Sequence, residues 1–432
     1  MSRSSPRSPT VVITGASAGI GRAITRRFAR TGARIGLIAR DQGALEDVKS
    51  EVEARGGIAA VAAVDVADAA AVTAATYELA AALGPIDIWI NNAMVTVFSP
   101  LTDMTPQEFK RVTDVTYMGC VHGTQAALQH MRERDRGLII QVGSALAYRG
   151  IPLQSAYCGA KYAIRGFTDS LRSELIHQRS RIKLMMIELP AVNTPQFDWA
   201  RSHLPRSPRP VAPVLQPEVI ADAIYRASLR PSREYWIGRS TLEVILANMA
   251  LPGFLDRMLA YKAYDGQMTP SPAQPQRPNN LDEPVHDLHR THGSFDREAG
   301  FEALLISGPV ARLGSSLGAM ALAFCAGALA RRERRGRRRG PAAPGSRSPT
   351  GTARTARSPS PISATARPTR AKSMRASTWP RCGSCRSFSS SRTTAMPWAP
   401  PSPDPRPRPI SPSAASPSRS RAFRSTAWMC AR

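Results

Sequence analysis

Short apolar runs alternate with helix-period stretches along roughly the first half of the chain. The runs are rich in β-branched residues and alanine, and between them apolar residues recur every three to four positions. This alternation predicts a parallel sheet with helices on both of its faces. The predicted helices cover residues 42–55, 68–82, 106–131 and 155–178. The predicted fold class is therefore α/β, a doubly wound parallel sheet that forms a single domain over residues 10–240.

The segment TVVITGASAGIGRAITRRFARTG, residues 10–32, is a strand-like run, a glycine-rich turn and a helix-period stretch. That order is the context required of a dinucleotide-binding fingerprint. Gly15 would permit the tight turn, Gly19 would let the backbone approach a pyrophosphate, and Gly21 would permit close packing of helix on strand. The start of the helix would offer N–H groups and the positive end of its dipole to the phosphates. The segment therefore predicts a Rossmann-type cofactor site.

Tyr157 and Lys161 lie four residues apart in the predicted helix 155–178, so their side chains share one face of it. An ammonium about 4 Å from a phenolate would stabilise it by up to roughly 4 kcal/mol, enough to lower the tyrosine pKa from its usual value of about 10 toward neutrality. By itself, such a pair is also typical of a solvated helix surface. Ser144 follows the apolar run LIIQVG, at the strand end where open α/β sheets bind ligands. Ser144, Tyr157 and Lys161 are the candidate catalytic residues.

Four sequence elements occur in order: the turn TGASAGIG, the triplet NNA at residues 91–93, Ser144, and the segment YCGAK. In this order and at these distances they resemble the short-chain dehydrogenase/reductase family over roughly residues 8–240. The resemblance implies hydride transfer between NADP(H) and an alcohol or carbonyl substrate on a Rossmann-type fold. It also implies that Tyr157 is the general acid/base, that Ser144 donates a hydrogen bond to the substrate oxygen, and that Lys161 holds the nicotinamide ribose while lowering the pKa of Tyr157.

The resemblance extends to cofactor contacts outside the glycines. It implies that Asn91 stabilises the central sheet and lines the cofactor cleft, that Asp65 contacts the adenine ring, and that Thr194 meets the nicotinamide carboxamide. The candidate cofactor-binding residues are Gly15, Ser17, Gly19, Ile20, Gly21, Arg40, Asp65, Val66, Asn91, Ala93, Tyr157, Lys161, Pro190 and Thr194.

Arg40 bears on the choice between NADP(H) and NAD(H). The second predicted strand ends in Ala39 and Arg40, whereas a carboxylate there would bind an unphosphorylated ribose and repel a 2′-phosphate. We therefore expect NADP(H) to be preferred, with NAD(H) as the alternative. The other interpretation of Arg40 is a solvated arginine in a loop.

Thr116 departs from the family pattern. Members usually carry an asparagine in the helix before the serine strand, where it positions water in a proton relay, and the stretch DVTYMG has Thr116 instead. A threonine hydroxyl can itself orient water, so we expect altered efficiency rather than loss of activity. The alternative function, which this departure favours, is a catalytically weak NADP(H)-binding sensor or scaffold.

Leu146, Gln154 and the stretch 192–215 are the candidates for the substrate pocket. Apolar residues at helical spacing over residues 241–264 predict two short helices, broken at a Pro-Gly pair, that pack over the cleft. A membrane-surface role is the alternative for these helices. An anchored, apolar C-terminal region would favour a lipophilic alcohol or carbonyl substrate.

Composition changes sharply near Ala330, and this decides how the net charge of +26 is interpreted. Residues 331–432 hold most of the excess arginine and are rich in serine and proline, so they cannot bury enough apolar surface to fold and are predicted to be a disordered tail. One interpretation of the tail is an arm that binds nucleic acid or an anionic membrane. We favour a dispensable extension, because the residue bias of the tail resembles GC-rich DNA translated out of frame. No specific nucleic-acid partner is expected.

The remaining segments complete the predicted organisation. Residues 1–9 are predicted to be a disordered N-terminus and residues 265–312 a proline-containing linker. Residues 313–330 lack charges and predict an apolar helix of about 27 Å, a candidate anchor in a hydrocarbon layer of about 30 Å. The alternative is an alanine-rich helix on the protein surface or in an oligomer contact. The N-terminus lacks the form of a signal peptide, so we expect a cytoplasmic protein, membrane-associated if residues 313–330 insert. By resemblance, helices 106–131 and 155–178 pair in a homo-oligomer.

No metal site is predicted. The pair Cys382-x-x-Cys385 lacks a second ligand pair, and the other cysteines are scattered. His286, His289 and His292 recur every third residue, but their proline-rich surroundings favour a surface loop over a metal site.

Overall fold

The structure, a computed structural model, describes residues 8–274 and 276–314. Eight strands form one sheet in the order β15-β12-β7-β6-β4-β1-β2-β3. All neighbouring strands in it are parallel except β12 and β15. The strands are β1 Thr10–Thr14, β2 Arg34–Ala39, β3 Ile58–Ala63, β4 Ile88–Asn91, β5 Val97–Phe98, β6 Leu138–Val142, β7 Lys183–Glu188, β8 Ala191–Val192, β9 Arg201–Ser202, β10 Arg206–Pro208, β11 Val214–Leu215, β12 Glu234–Ile237, β13 Met268–Pro272, β14 Ala299–Gly300 and β15 Leu305–Ser307. The helices are α1 Gly19–Ala29, α2 Gln42–Glu53, α3 Ala69–Leu83, α4 Pro106–Thr113, α5 Gly119–Arg132, α6 Ser155–His177, α7 Gln196–Trp199, α8 Pro217–Leu229, α9 Arg239–Ala250 and α10 Pro252–Gly266.

The first strand shows why the sheet is covered on both faces. Val11 and Ile13 belong to one hydrophobic cluster, whereas Val12 belongs to the cluster on the other face, as the two-residue period of a strand requires. All three side chains are fully buried. Because neither face meets water, β1 is a continuous apolar run instead of an alternating one. The predicted α/β fold with a doubly wound, mostly parallel sheet is confirmed.

The strand order reverses between β1 and β4, and such a reversal leaves a crevice at the carboxyl ends of the strands. Thr14 and Asn92 join the two strands there. The backbone N–H of Asn92 donates to Thr14 Oγ1 at 3.0 Å, and its side-chain amide donates to the Thr14 carbonyl at 3.0 Å. These bonds hold the floor of the crevice in place.

The helix expected over residues 106–131 is interrupted. Helix α4 begins with a capping box between Thr105 and Glu108, but a π-helical turn at Asp114–Met118 separates it from α5. Within that turn, the buried Thr116 hydroxyl accepts from the Val95 N–H at 3.1 Å and donates to the Val95 carbonyl at 3.0 Å. The wider turn thus carries a side chain that fixes the loop after β4.

Residues 265–312 contribute strands to the fold, although their prolines suggest a linker. Strand β13 pairs with β10, β14 pairs with β11, and β15 extends the main sheet by pairing antiparallel with β12. The segment is ordered by backbone pairing with distant strands, which a low content of apolar residues does not reveal. Helices α9 and α10 meet at Leu251, as the Pro-Gly pair predicts.

Residues 1–7, 275 and 315–432 lie outside the described part of the chain. The predicted tail at 331–432 and nearly all of the candidate anchor at 313–330 fall there. Within residues 8–274 and 276–314, none of the helices has the length and apolar character needed to span a membrane.

Candidate functional site

The glycine-rich turn between β1 and α1 is closely packed. Gly15 and Gly19 have positive φ angles of 67° and 53°, a region that glycine enters without steric cost. A Cβ on Gly21 would lie 2.0 Å from the carbonyl oxygen of Gly15, so no larger residue fits. The turn therefore brings the N-terminus of α1 to the crevice, and helix N-termini bind phosphate groups. This cradle fits a dinucleotide cofactor.

A cavity of about 390 Å³ lies at the carboxyl ends of the strands, within the usual range of ligand pockets. It brings together most of the candidate residues. Those lining it are Gly15, Ser17, Gly19, Ile20, Arg40, Asp65, Val66, Ala93, Ser144, Leu146, Gln154, Tyr157, Lys161, Pro190 and Thr194.

Asn91 and Gly21 serve the framework behind the cavity. Asn91 is buried and accepts from Trp89 Nε1 at 2.8 Å, while its amide donates to Thr124 and Gln141 at 3.0 and 2.8 Å. It thereby joins β4, β6 and α5. The expectation that Asn91 lines the cleft is wrong, because these three bonds turn its side chain into the sheet; its neighbours Asn92 and Ala93 line the cavity instead.

Ser144, Tyr157 and Lys161 meet at one side of the cavity. Ser144 follows β6 and its hydroxyl accepts from the Leu146 N–H at 3.1 Å, which starts a short 3₁₀ turn. Tyr157 and Lys161 lie on the first turns of α6, and the side chain of Ser144 lies close enough to the phenol to influence its pKa. Lys161 Nζ donates to the Val142 carbonyl at 2.7 Å and lies 5.5 Å from the centroid of the tyrosine ring.

Burial dominates the electrostatics of this group. It raises the pKa of Tyr157, against the lowering effect of the Ser144 side chain, and it lowers the pKa of Lys161 to about 8. The tyrosine therefore shifts in the direction opposite to the one expected from Lys161. The physical reason is that burying the charged phenolate away from water costs more free energy than its interactions with polar neighbours provide.

Glu188, the last residue of β7, was missed by the sequence reasoning. Its side chain is fully buried, and its Oε2 atom accepts from the Ser144 N–H at 2.6 Å. Burial, followed by the charge of Glu234, raises the pKa of Glu188 to about 8. The available signal was a single acidic residue at the end of the apolar run IKLMMIEL.

Arg40 reaches the cavity, but its guanidinium is also engaged by the chain. Its Nη1 atom donates to the carbonyls of Asp282 and Leu281 at 2.6 and 3.4 Å, and Nη2 donates to the carbonyl of Asn280. The alternative of a solvated loop arginine does not describe this residue, which is only partly exposed. Asp65 accepts from the Ala67 N–H at 2.9 Å and pairs with an arginine of α4.

The lining of the cavity is mainly apolar. Helices α9 and α10 contribute Val244 and Leu259 to the lining, in the position over the cleft that the sequence predicts for this pair of helices. Gln154 Nε2 donates a hydrogen bond of 2.6 Å to Gln267 Oε1. The sequence did not point to Gln267.

The three histidines of EPVHDLHRTH do not share one partner. His286 and His289 contact Asp41, the latter at 3.0 Å, whereas His292 pairs with Glu218 at 2.9 Å. His289 is nearly buried and packs edge-on against Trp199. In the part of the chain that the structure describes, no three His, Cys, Asp or Glu residues form a group that could hold a metal ion.

Comparison with known proteins agrees with this arrangement. The sequence profile of short chain dehydrogenases matches residues 9–204. Over 273 residues, 63% of this chain and 77% of the relative, the chain is 32% identical to the uncharacterized oxidoreductase YxnA of Bacillus subtilis. The chain belongs to the short-chain dehydrogenase family. It is therefore an NAD(P)-dependent oxidoreductase.

Two further proteins show how far the likeness extends. A fatty acyl-CoA reductase of Acinetobacter baylyi is 32% identical over 234 residues, which are 54% of this chain and 77% of that protein. A solved short-chain dehydrogenase from Streptomyces avermitilis superposes with a TM-score of 0.50 at 23% identity, covering 61% of this chain and 97% of the other. The latter likeness shows the shared fold.

Proposed function

We propose that the chain interconverts a lipophilic alcohol and its carbonyl form with NADP(H), and that Ser144, Tyr157 and Lys161 carry the reaction. The observation that supports this is their convergence at one cavity with the glycine-rich turn. When bound, the nicotinamide supplies or accepts the hydride. NADP(H) is the preferred cofactor because Arg40, rather than an acid, directly follows β2 and lines the cavity.

Each of the three side chains has a role that fits its position. The hydroxyl of Ser144 polarises the substrate oxygen, and the phenol of Tyr157 gives or takes the proton at that oxygen. Lys161 holds the ribose and stabilises the phenolate when it forms. Since burial raises the pKa of Tyr157, the phenol is the resting form and is ready to donate during carbonyl reduction.

The substrate class follows from the cavity wall and from one relative. Apolar side chains line the same cavity as Tyr157, among them Phe98, Leu146, Val244 and Leu259. The relative named as a fatty acyl-CoA reductase also supports a lipophilic carbonyl compound. A panel of aldehydes and ketones of increasing chain length, assayed by the absorbance of NADPH, tests this; turnover that falls with chain length would contradict it.

Replacing Tyr157 by phenylalanine tests the mechanism. The ring remains but the proton donor is lost, so turnover should fall by about 10² or more while NADPH still binds. Tyr261→Phe is the matched control, since Tyr261 is 81% exposed and its replacement should leave turnover unchanged. Retained turnover in Tyr157→Phe would refute the assignment.

A catalytically weak sensor is the second candidate, and Thr116 favours it. The Thr116 hydroxyl donates its proton to the Val95 carbonyl, so that proton is not offered to a relay water. NADPH binding without oxidation by any member of the carbonyl panel would support the sensor.

A further inference from the structure

Residues 280–291, here called the strap, run along the cavity at the end where the adenosine part of the cofactor is expected. Asn280, Pro284, Val285 and His289 line the cavity together with the glycine-rich turn. The strap is more than 200 residues away from that turn in the sequence. It therefore adds a wall to the cofactor site that the glycine motif does not contain.

Backbone carbonyls of the strap accept hydrogen bonds from the guanidinium of Arg40. Three consecutive carbonyl oxygens, those of residues 280–282, accept from its guanidinium. A guanidinium has five N–H groups and no acceptor, and a ribose 2′-phosphate would need these same donors. Carbonyl oxygens also carry partial negative charge, which repels a phosphate. With the strap docked, Arg40 therefore has fewer N–H groups available for a 2′-phosphate than it would have without the strap.

The strap also occupies the start of α1. The Gly19 N–H donates to the Arg290 carbonyl at 2.9 Å, and Arg22 Nη1 donates to the His289 carbonyl. An N–H at the beginning of this helix is the donor that a pyrophosphate would use. The strap therefore already accepts hydrogen bonds from donors at two places where the cofactor is expected to bind, Arg40 and the start of α1.

The strap is anchored by side chains outside these contacts. Leu281 is fully buried and belongs to a hydrophobic cluster of the main core. Asp282 pairs with Arg201 at 2.8 Å on the surface, and Thr291 accepts from Arg26 at 2.7 Å. The anchors can be weakened without touching the residues that face the cofactor.

We propose that the strap determines cofactor specificity: its carbonyls and the 2′-phosphate of NADP(H) compete for Arg40, so that docking of the strap weakens NADP(H) binding more than NAD(H) binding. This inference rests on the proposed function, because it takes Arg40 as the 2′-phosphate ligand. NADP(H) binds by releasing residues 280–282 from Arg40.

Dissociation constants for NADP⁺ and NAD⁺ test the competition in the full chain. Asp282→Ala loosens the strap at the surface and should tighten NADP⁺ binding about threefold or more, with a smaller change for NAD⁺. Leu281→Ala should have a larger effect of the same sign. The control for the first variant is Asp265→Ala, which removes another exposed ion pair outside the strap, the one with Arg206. The control for the second variant is Leu304→Ala, which replaces a leucine that is 52% exposed.

Hydrogen exchange of the wild-type protein provides a readout that needs no variant. Saturating NADP⁺ should speed exchange of the amides in residues 280–291. Slower exchange would overturn the proposal, since it would mean that the strap packs more tightly when the cofactor binds. NADP⁺ binding that weakens or stays unchanged in both strap variants would also overturn it. If neither nucleotide binds any variant, the proposed function itself fails. If both nucleotides bind but the preference between NADP⁺ and NAD⁺ is unchanged in the strap variants, only the proposal about the strap is overturned.

Discussion

The carboxylate of Glu188 accepts a 2.6 Å hydrogen bond from the backbone N–H of Ser144. Its other oxygen, Oε1, is buried with no hydrogen-bond partner in the described structure. A Cβ on Gly143 would lie 2.3 Å from the carboxylate, so the glycine before the serine gives this side chain its space. A titratable carboxyl thus lies directly behind the residue proposed to polarise the substrate.

Glu188→Gln should change the pH dependence of stability. The carboxyl has its pKa raised from 4.5 to about 8 in the fold, so the folded state binds the extra proton between these values and loses stability as the pH rises through them. Glutamine keeps an acceptor for the Ser144 N–H but does not titrate. Relative to wild type, the variant should therefore gain about 1–4 kcal/mol of unfolding free energy between pH 4.5 and pH 8, measured by urea unfolding. Glu243→Gln, at an exposed residue, is the control; parallel curves for wild type and Glu188→Gln would contradict the assignment.

Ser144→Ala should lower kcat/KM by about 10²–10³, the usual cost of removing one donor to a developing oxyanion. Cofactor affinity should stay close to that of the wild type, because the hydroxyl contacts the substrate oxygen. Ser155→Ala is the matched control: its hydroxyl is buried without a partner in the described structure, at the start of the same helix as Tyr157. Equal kinetics for the two variants would remove Ser144 from the mechanism.

Gly21→Ala should abolish cofactor binding and destabilise the fold. The new methyl group would meet the Gly15 carbonyl oxygen at 2.0 Å, and overpacking of this kind costs about 1–3 kcal/mol. Gly166→Ala is the control, since a Cβ there meets no atom within 4 Å and should stabilise α6 by about 0.5–1 kcal/mol. Thermal unfolding and NADP⁺ titration measure both effects; tolerance of Gly21→Ala would show that the turn is not as closely packed as described.

Thr116→Val should destabilise the protein by about 1–3 kcal/mol, because it leaves the buried N–H and carbonyl of Val95 without their partner. Thr116→Ser keeps the hydroxyl and should retain most of the stability. Since Val95 lines the cavity, KM for the substrate should rise in Thr116→Val and remain near wild type in Thr116→Ser. If both variants behave alike, the hydroxyl does not hold the loop.

Much of the fold could be predicted from local patterns. The strand before the glycine turn and the helices at 42–55 and 155–178 were expected within two residues of the observed ends, since period and turn residues lie within a short window. The break at residues 114–118 was not predicted, because a π turn does not change the composition of the helix around it.

Only the tertiary structure showed which distant residues contact Ser144 and Arg40 at the candidate site. The sequence by itself determined the family, the doubly wound sheet and the order of Ser144, Tyr157 and Lys161, because these depend on residues close together in the chain. The carboxylate behind Ser144 comes from another strand, and the carbonyls on Arg40 come from residues about 240 positions away. Such contacts arise from strand pairing and core packing, which bring distant segments together without leaving a local pattern.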